Sequence, residues 1–446
     1  MLEILKEPDL SARLSVLRAK VRGANPCLRS GRLEGLVGSI LTASLPGARV
    51  GERVLIGSRQ AAADVCGFRG KLAMLLPAGE CGKLSEGSVV RATGSEFRLA
   101  WSEKLLGRVL DARGRPLDGR PAPEAECYIA PDFPAPAPLT RKPIGAALEC
   151  GIRAIDGINT LAQGQRLGLF ARPGLGKSTL LGQVARGARA DCIVLALVGE
   201  RGRELPEFIA NDLGEEGLRR SVIVCATSDR TAAERALALP VATAIAHGFR
   251  SRGRSVLLLA DSLTRHARAL REIALAAGEP PGRRGYPPSV FDGLAKLIER
   301  SGNDSRGSMT AIYTVLMDAD ADDDPLAIEV KGLLDGHIVL DRDLAGQGCF
   351  PAVDPVASLS RLMDKVVGSE HLVLARQLRL LWSSYEQRRD LIAAGVYEPG
   401  SEPLTDKAIE KRPLIIEWLR QAPGERCTLQ DSLLSLKSII GDVCEV

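Results

Sequence analysis

The nine residues at positions 171–179, ARPGLGKST, have the residue types and spacing of a phosphate-binding loop. Gly174 and Gly176 let the backbone turn so that its N–H groups point inward, toward phosphate oxygens. Lys177 supplies a point charge, and the hydroxyl of Ser178 can bind the Mg²⁺ ion that bridges the terminal phosphates. An apolar run precedes the loop and a helix-forming run follows it. The order strand, loop, helix therefore predicts a nucleoside triphosphate site.

Two positions of the loop differ from the usual pattern. Ala171 stands where that pattern begins with glycine, and Pro173 has no N–H to offer a phosphate. With Arg172 beside it, Pro173 could alter nucleotide affinity. A glycine-rich turn can also arise for packing alone, but a lysine and a serine in register favour nucleotide binding. The residues predicted to contact the nucleotide are Pro173, Gly174, Leu175, Gly176, Lys177, Ser178 and Thr179.

Two carboxylates follow buried-strand candidates further along the chain. The run 192–199 leads into Glu200, and the run 255–261 ends in Asp261. Ligands of open α/β sheets bind at the carboxyl ends of the strands. We predict that Glu200 polarises the attacking water and that Asp261, on a strand neighbouring the phosphate loop, completes the magnesium shell. Arg201 would orient Glu200 or neutralise phosphate charge. The alternatives without a catalytic role are a surface ion pair at Glu200 and a helix cap at Asp261.

The arrangement of apolar runs predicts the fold. Further β-branched runs at 221–227 and 308–316 alternate with helical segments, which is typical of a mostly parallel sheet covered on both faces. Short alternating runs before it predict a small β-barrel, and helical patterns follow from about residue 366. We therefore predict an α/β phosphate-loop core with a mostly parallel sheet, preceded by a small barrel and followed by a helical domain. The predicted segments are an N-terminal amphipathic segment at 1–25 with a short basic helix from Pro8 onward, the barrel at 26–97, the ATPase domain at 98–365 and the helical domain at 366–446.

Composition narrows the class of protein and its partners. Lys and Arg exceed Asp and Glu by only four in 446 residues, 59 against 55, which is too little to predict nucleic-acid binding from charge. Ten cysteines without a CxxC pair and four histidines suggest neither a zinc site nor a disulfide framework, and a reducing cytosol fits best. No stretch of about eighteen apolar residues is present, so any membrane association is expected to be peripheral.

Three longer runs resemble a known superfamily. VGERGRELPEFI, LLLADSLTRHARALREIALAAGEPPGRRGYPPSVF and PAVDPVASLSR together resemble the catalytic subunits of rotary ATP synthases and their relatives. Within that superfamily, REIALAAGEPPGRRGYPPSVF most resembles the ATPases of type III secretion systems, both injectisome and flagellar. The resemblance spans roughly residues 30 to 440 and is closest in the core domain.

The resemblance implies roles for individual residues. It assigns phosphate binding to Lys177, magnesium binding to Ser178 and Asp261, and water activation to Glu200, with ATP and Mg²⁺ as the ligands. Arg265, in the DSLTR motif, would help to organise the metal and phosphate region.

Two further residues gain a role from the resemblance alone. Arg361, which closes PAVDPVASLSR, matches the arginine finger that reaches into a neighbouring subunit's site. Phe350, just before Pro351, matches the aromatic residue that stacks on adenine, although plain core packing is an alternative. A finger that completes the next site implies a ring of identical subunits, and the family implies six.

The resemblance also implies partners. The acidic run DADADDDP at 318–325 falls where relatives have pore loops, where it could engage a basic central stalk or simply be a solvated turn. The N-terminal segment would contact a stator or regulator, and the C-terminal helices would contact chaperone–effector complexes. The expected location is the cytoplasm, peripheral to the inner-membrane export apparatus.

The sequence favours an injectisome ATPase over four other functions. A flagellar export ATPase of the same family has close variants of the same runs. A non-catalytic rotary subunit usually has glutamine where this chain has Glu200, and a rotary synthase catalytic subunit carries a DELSEED-like stretch that is missing here. An RNA translocase needs aromatic stacking platforms in its barrel. The sequence offers Phe68, Phe97 and Trp101 at most, so we expect no nucleic-acid partner.

Overall fold

The computed structural model describes Leu14 and residues 29–79, 82, 84–317 and 324–441. The chain divides into two compact units, Met1–Phe97 and Arg98–Val446. The predicted N-terminal helix lies outside the described residues except for Leu14, and most of the acidic run at 318–325 lies outside them too. Among the described helices, none has the length and apolar character needed to cross a bilayer.

The first unit contains the predicted barrel. Six antiparallel strands close in the order β1-β2-β5-β4-β3-β6. In β3, positions 52, 54 and 56 are buried and the residues between them are partly exposed, because successive side chains of a strand point to opposite faces. The strands are β1 (Ser30–Val37), β2 (Ile40–Ser44), β3 (Glu52–Ile56), β4 (Ala61–Arg69), β5 (Leu72–Pro77) and β6 (Val89–Glu96).

The second unit is built on an eight-stranded sheet in the order β18-β17-β12-β16-β15-β13-β14-β8. All neighbouring strands in it are parallel except β17 and β18. This confirms the predicted mostly parallel core. Two small two-stranded sheets, β7-β9 and β10-β11, accompany it. The strands are β7 (Leu99–Trp101), β8 (Arg108–Asp111), β9 (Cys127–Ile129), β10 (Ala147–Leu148), β11 (Leu161–Ala162), β12 (Arg166–Ala171), β13 (Cys192–Val198), β14 (Ser221–Ala226), β15 (Ser255–Asp261), β16 (Ser308–Leu316), β17 (Gly336–Val339) and β18 (Leu359–Ser360).

Helices cover the sheet and form the C-terminal region. A π-helical segment, Phe208–Leu213, lies between α3 and α4, and 3₁₀ turns occur at 103–105, 138–140, 283–285 and 363–365. The helices are α1 (Arg153–Asp156), α2 (Lys177–Gly187), α3 (Glu204–Glu207), α4 (Gly214–Arg219), α5 (Ala232–Ser251), α6 (Leu263–Ala276), α7 (Pro288–Glu299), α8 (Pro325–Leu333), α9 (Arg342–Gly346), α10 (Ser369–Ala393), α11 (Pro403–Leu419) and α12 (Leu429–Ile440).

The C-terminal helices share a core with the sheet. Leu374, Leu378 and Leu381 are buried at helical spacing on one face of α10, and they belong to the same apolar cluster as residues of β12 and α2. Arg153 of α1 donates from its Nε to the carbonyl oxygen of Trp418 of α11 at 2.8 Å. The predicted division between an ATPase domain and a helical domain at residue 366 stays a prediction.

Several features of the second unit differ from the sequence prediction. Strands β8, β17 and β18 of the eight-stranded sheet were not predicted; β8 pairs with β14 on one side of the sheet, and β17 and β18 lie beyond β12 on the other. The strand of Asp261 does not neighbour that of the phosphate loop, because β16 lies between β15 and β12. Trp101 lies beyond the barrel, is buried and donates from its indole Nε1 to the carbonyl oxygen of Ile245 at 3.1 Å. Trp101 is therefore no stacking platform of the barrel.

The buried His266 of α6 predicts an acid-sensitive fold. Burial lowers its pKa to about 4 from an ordinary value of 6.5, and its Nδ1 has no hydrogen-bond partner among the described residues. As the pH falls, the imidazole of His266 therefore takes up a proton in the unfolded chain before it does so in the folded protein. The stability that the neutral ring contributes is complete above about pH 6.5 and is lost as the pH falls toward 4.

We expect His266→Gln to remove about 2 kcal/mol of the stability difference between pH 7 and pH 4.5. Urea unfolding of both chains at a series of pH values measures this difference. His247, whose pKa burial also lowers to about 4, leaves a residual slope in the variant. An equal pH dependence in wild type and variant would contradict the prediction.

Candidate active site

The phosphate loop connects β12 to α2 as predicted. Gly174 and Gly176 have φ values of 85° and 77°, a region that L-residues rarely adopt. Apart from Gly174 and its two chain neighbours, no described residue has an atom within 4 Å of the place where a Cβ of Gly174 would be, so the loop is open on this side. No described side chain caps the start of α2, and its first N–H groups are left for an anion.

The ammonium group of Lys177 contacts two carboxylates. It forms an ion pair with Oδ1 of Asp261, and it lies 3.6 Å from Oε1 of Glu200. These carboxylates come from the ends of β15 and β13, which are separate strands of the sheet. The side chains of Lys177, Glu200 and Asp261 are between 5% and 13% exposed. Three residues that the sequence predicted separately thus meet at one largely buried point beside the phosphate loop.

Glu200 is oriented by Arg265 rather than by Arg201. A guanidinium nitrogen of Arg265 lies 2.6 Å from Oε2 of Glu200 and donates to the carbonyl oxygen of Gly199, also at 2.6 Å. The side chain of Arg201 is 68% exposed, and its ion pair is with Glu204 at 3.8 Å. Among the described ion pairs none joins Arg201 to Glu200, and the alternative that Arg201 neutralises phosphate charge stays a prediction. Arg201 follows the end of β13 and is exposed, whereas Arg265 reaches Glu200 from α6.

Asp261 is held within the site and is not a helix cap. Its Oδ1 accepts a hydrogen bond of 2.7 Å from the hydroxyl of Thr314 on β16. The cap of α6 is Ser262, whose side chain accepts from the backbone N–H of Arg265 at 3.2 Å. The alternative of a capping aspartate is thereby excluded.

Ser178 and Thr179, the last two residues of the loop sequence, have different surroundings. Ser178 is exposed in the first turn of α2, directly after Lys177. Thr179 hydrogen-bonds to Asp212 of the π-helical segment, and burial raises the pKa of that aspartate. The hydroxyl of Ser178 and the carboxylate of Asp261 are hard oxygen donors of the kind that Mg²⁺ prefers. The residues present therefore fit a magnesium ion next to the phosphate loop.

Phe350 borders the phosphate loop. Its side chain is exposed, and a Cβ at Gly176 would lie 3.4 Å from its Cδ1 atom. Its carbonyl oxygen accepts from the backbone N–H of Gln421 at 2.7 Å, in the segment between α11 and α12. An exposed ring beside the loop argues against plain core packing as its role.

Arg361 lies away from this chain's own loop. It follows the edge strand β18, and its N–H donates to the carbonyl oxygen of Asp335 at 3.0 Å. Asp335 also pairs with Arg166, the first residue of β12, whereas the phosphate loop follows the last residue of β12. Six residues of strand span about 17 Å. The exposed Arg361 therefore lies at the amino-terminal ends of the parallel strands, whereas the phosphate loop lies at their carboxyl ends.

Sequence reasoning missed Thr314 and Gln421. Thr314 is a hydroxyl within an apolar run, and that contrast was the signal that could have drawn attention to it. Gln421 lies 244 positions from Lys177 in the sequence, and no local pattern links it to the site. Both contacts depend on tertiary packing.

Comparisons with known proteins identify the family that this chain resembles. Residues 151–360 match the model of the ATP synthase alpha/beta family nucleotide-binding domain, and residues 367–438 match that of the T3SS EscN ATPase C-terminal domain. The chain is 48% identical to the flagellum-specific ATP synthase of Pseudomonas aeruginosa, over 92% of this chain and 93% of the relative. It is 47% identical to the SPI-2 type 3 secretion system ATPase of Salmonella typhimurium, over 92% and 95%.

Solved structures of assembled EscN from enteropathogenic E. coli match over 92% of this chain and all of theirs. The TM-score is 0.89 at 44% identity for EscN alone, and 0.85 at 43% identity for EscN in complex with its central stalk EscO. With this identity maintained over nine tenths of its length, the chain belongs to the family of type III secretion ATPases and flagellum-specific ATPases.

Proposed function

We propose that this protein is the ATP-hydrolysing motor of a type III protein secretion system. The observation that carries the proposal is the meeting of Lys177, Glu200 and Asp261 beside an open phosphate loop. ATP hydrolysis would drive the release of secreted proteins from their chaperones, their unfolding and their export. The relatives of similar identity include both type 3 secretion system ATPases and flagellum-specific ATP synthases, so the proposal rests on the chemistry that both share.

The phosphate loop and its helix would hold the nucleotide. The N–H groups at the start of α2 and the Lys177 ammonium would bind the β- and γ-phosphates. The hydroxyl of Ser178 and the carboxylate of Asp261 would hold Mg²⁺, which when bound neutralises charge on the phosphates. Phe350, beside Gly176, would stack on the adenine ring.

Glu200 would act on the water that attacks the γ-phosphate. Arg265 fixes one of its carboxylate oxygens, and Lys177 lies near the other. Placing the carboxylate in this way lets it orient a water and accept its proton as hydrolysis proceeds. A non-catalytic nucleotide-binding subunit would not need this carboxylate.

Arg361 would act in a neighbouring copy of the chain. Its position at the far edge of the sheet fits no role in this chain's own site, and a guanidinium suits the charge of a transferring phosphoryl group. A homo-oligomeric ring of six would place each finger at the next site. The stator, the chaperone–effector complexes and the basic stalk at the acidic run remain proposed partners. The proposed location is the cytoplasmic side of the membrane export apparatus.

Glu200→Gln tests the catalytic assignment. We expect the variant to bind ATP with near-normal affinity and to lose about a hundredfold or more in kcat, because the amide cannot accept the proton. Measurement of ATP hydrolysis over a series of protein concentrations, with sedimentation of the same samples, separates catalysis from assembly. Retained turnover in assembled Glu200→Gln would rule out the assigned role.

Arg265→Ala and Arg201→Ala form a matched pair. Loss of Arg265 frees the Glu200 carboxylate, and we expect kcat to fall about a hundredfold, since misplacing a reacting group costs on that order. Arg201→Ala removes an exposed arginine nearby and should keep kcat within about threefold. Steady-state kinetics on both variants compare them. A larger loss from Arg201→Ala would reverse the two assignments.

Mixed rings test Arg361. Arg361→Ala should bind ATP and assemble, with a turnover about a thousandfold lower. Lys177→Ala chains lack a working loop but retain the finger, so mixing the two inactive variants should restore part of the activity. Each variant alone is the control. Zero recovery in rings shown by sedimentation to contain both chains would contradict action across the interface.

A further inference from the structure

Strand β16 lies between the two strands that carry the phosphate loop and the metal-shell carboxylate. It pairs in parallel with β12, which leads into the loop, and with β15, which ends at Asp261. Ala260 is opposite Tyr313, so the next residue, Thr314, lies beside Asp261. On its other side, Thr314 is paired with Leu169 of β12. Thr314 thus occupies the middle strand at the level of the site.

The hydroxyl of Thr314 hydrogen-bonds to Asp261 and is shielded from solvent. The distance from Oγ1 of Thr314 to Oδ1 of Asp261 is 2.7 Å, and the ammonium of Lys177 contacts the same oxygen. Thr314 is fully buried and Asp261 is 3% exposed. Burying a hydroxyl without a partner is costly, and a β-branched side chain is stiff about χ1. Because the acceptor is a carboxylate oxygen, the hydroxyl donates its proton and is held in one orientation.

This contact fixes the rotation of the carboxylate. Two donors hold Oδ1 of Asp261, whereas Oδ2 accepts no hydrogen bond from the residues that the structure describes. We propose that Thr314 is a positioning residue, whose hydroxyl holds Asp261 ready to bind the magnesium–nucleotide complex. Full burial keeps Thr314 from touching the nucleotide, so it acts through Asp261. The inference rests on the proposed function, in which Asp261 belongs to the metal shell.

The same strand supplies a matched control. Thr310 is also fully buried, and its hydroxyl accepts from the backbone N–H of Gly164 at 2.9 Å. Thr310→Val therefore removes a buried hydrogen bond from β16 away from Asp261. Thr314→Val removes the hydroxyl at nearly constant volume, and Thr314→Ser retains it.

The experiment measures two quantities on the full chain. One is the affinity for a fluorescent ATP analogue as a function of Mg²⁺ concentration, and the other is kcat and KM for ATP hydrolysis. We expect Thr314→Val to raise the Mg²⁺ concentration for half-maximal binding about tenfold and to lower kcat by a similar factor, as loss of other outer-shell partners does. Thr314→Ser should stay within about twofold of wild type, and Thr310→Val should resemble wild type. If Thr314→Val does not fold, Thr314→Ala provides the same comparison.

Asp261→Asn separates this inference from the proposed function. If Asp261→Asn alters the Mg²⁺ dependence and folded Thr314→Val does not, the positioning role is overturned while the function stands. Equal shifts in Thr314→Val and Thr310→Val would also overturn it, because they would reflect a general loosening of the strand. A normal Mg²⁺ dependence in Asp261→Asn would overturn the assignment of the metal shell and the role of Thr314 together.

Discussion

The shared contact of one ammonium group with two carboxylates is the interaction on which this site depends. Glu200 and Asp261 would repel each other if brought together alone, and their low exposure makes water a poor screen. Lys177 offsets that repulsion from the first turn of α2. Arg265 adds a second positive charge at Glu200, so two cations face two anions. Phosphate oxygens entering the loop would compete with these carboxylates for Lys177, and nucleotide binding would thereby free their oxygens.

The parallel sheet is what allows that contact to form. Strands that run in one direction present their carboxyl ends at one edge, and β12, β15 and β13 deliver Lys177, Asp261 and Glu200 there from separate parts of the chain. Strand β16 fills the gap between β12 and β15 and contributes the Thr314 hydroxyl. The spacing of the charges is therefore set by hydrogen-bonded strands, which are stiffer than the loops that follow them.

The sequence predicted the residues whose chemistry is local and failed where packing decides. Lys177 and Ser178 are identified by a loop of fixed spacing, and Glu200 and Asp261 by apolar runs that stop at an acid. The order of the strands has no such signature. The strand of Asp261 was therefore expected directly beside β12, whereas β16 lies between them. Proximity in the sequence favoured Arg201 as the partner of Glu200, but α6 brings in Arg265 from 65 positions away.

The position of Arg361 bears on whether one chain alone could form a complete site. The length of a strand is fixed by its residues. A residue at the amino-terminal ends of the parallel strands therefore cannot reach a loop at the carboxyl ends in the same chain. If Arg361 completes the site, as we propose, each chain can hold a nucleotide by itself but lacks the guanidinium that stabilises the transferring phosphoryl group. Hydrolysis would then depend on contact with a neighbour, and an unassembled chain would consume little ATP. The rigidity that gathers Lys177, Glu200 and Asp261 within one chain would thus also tie turnover to the ring.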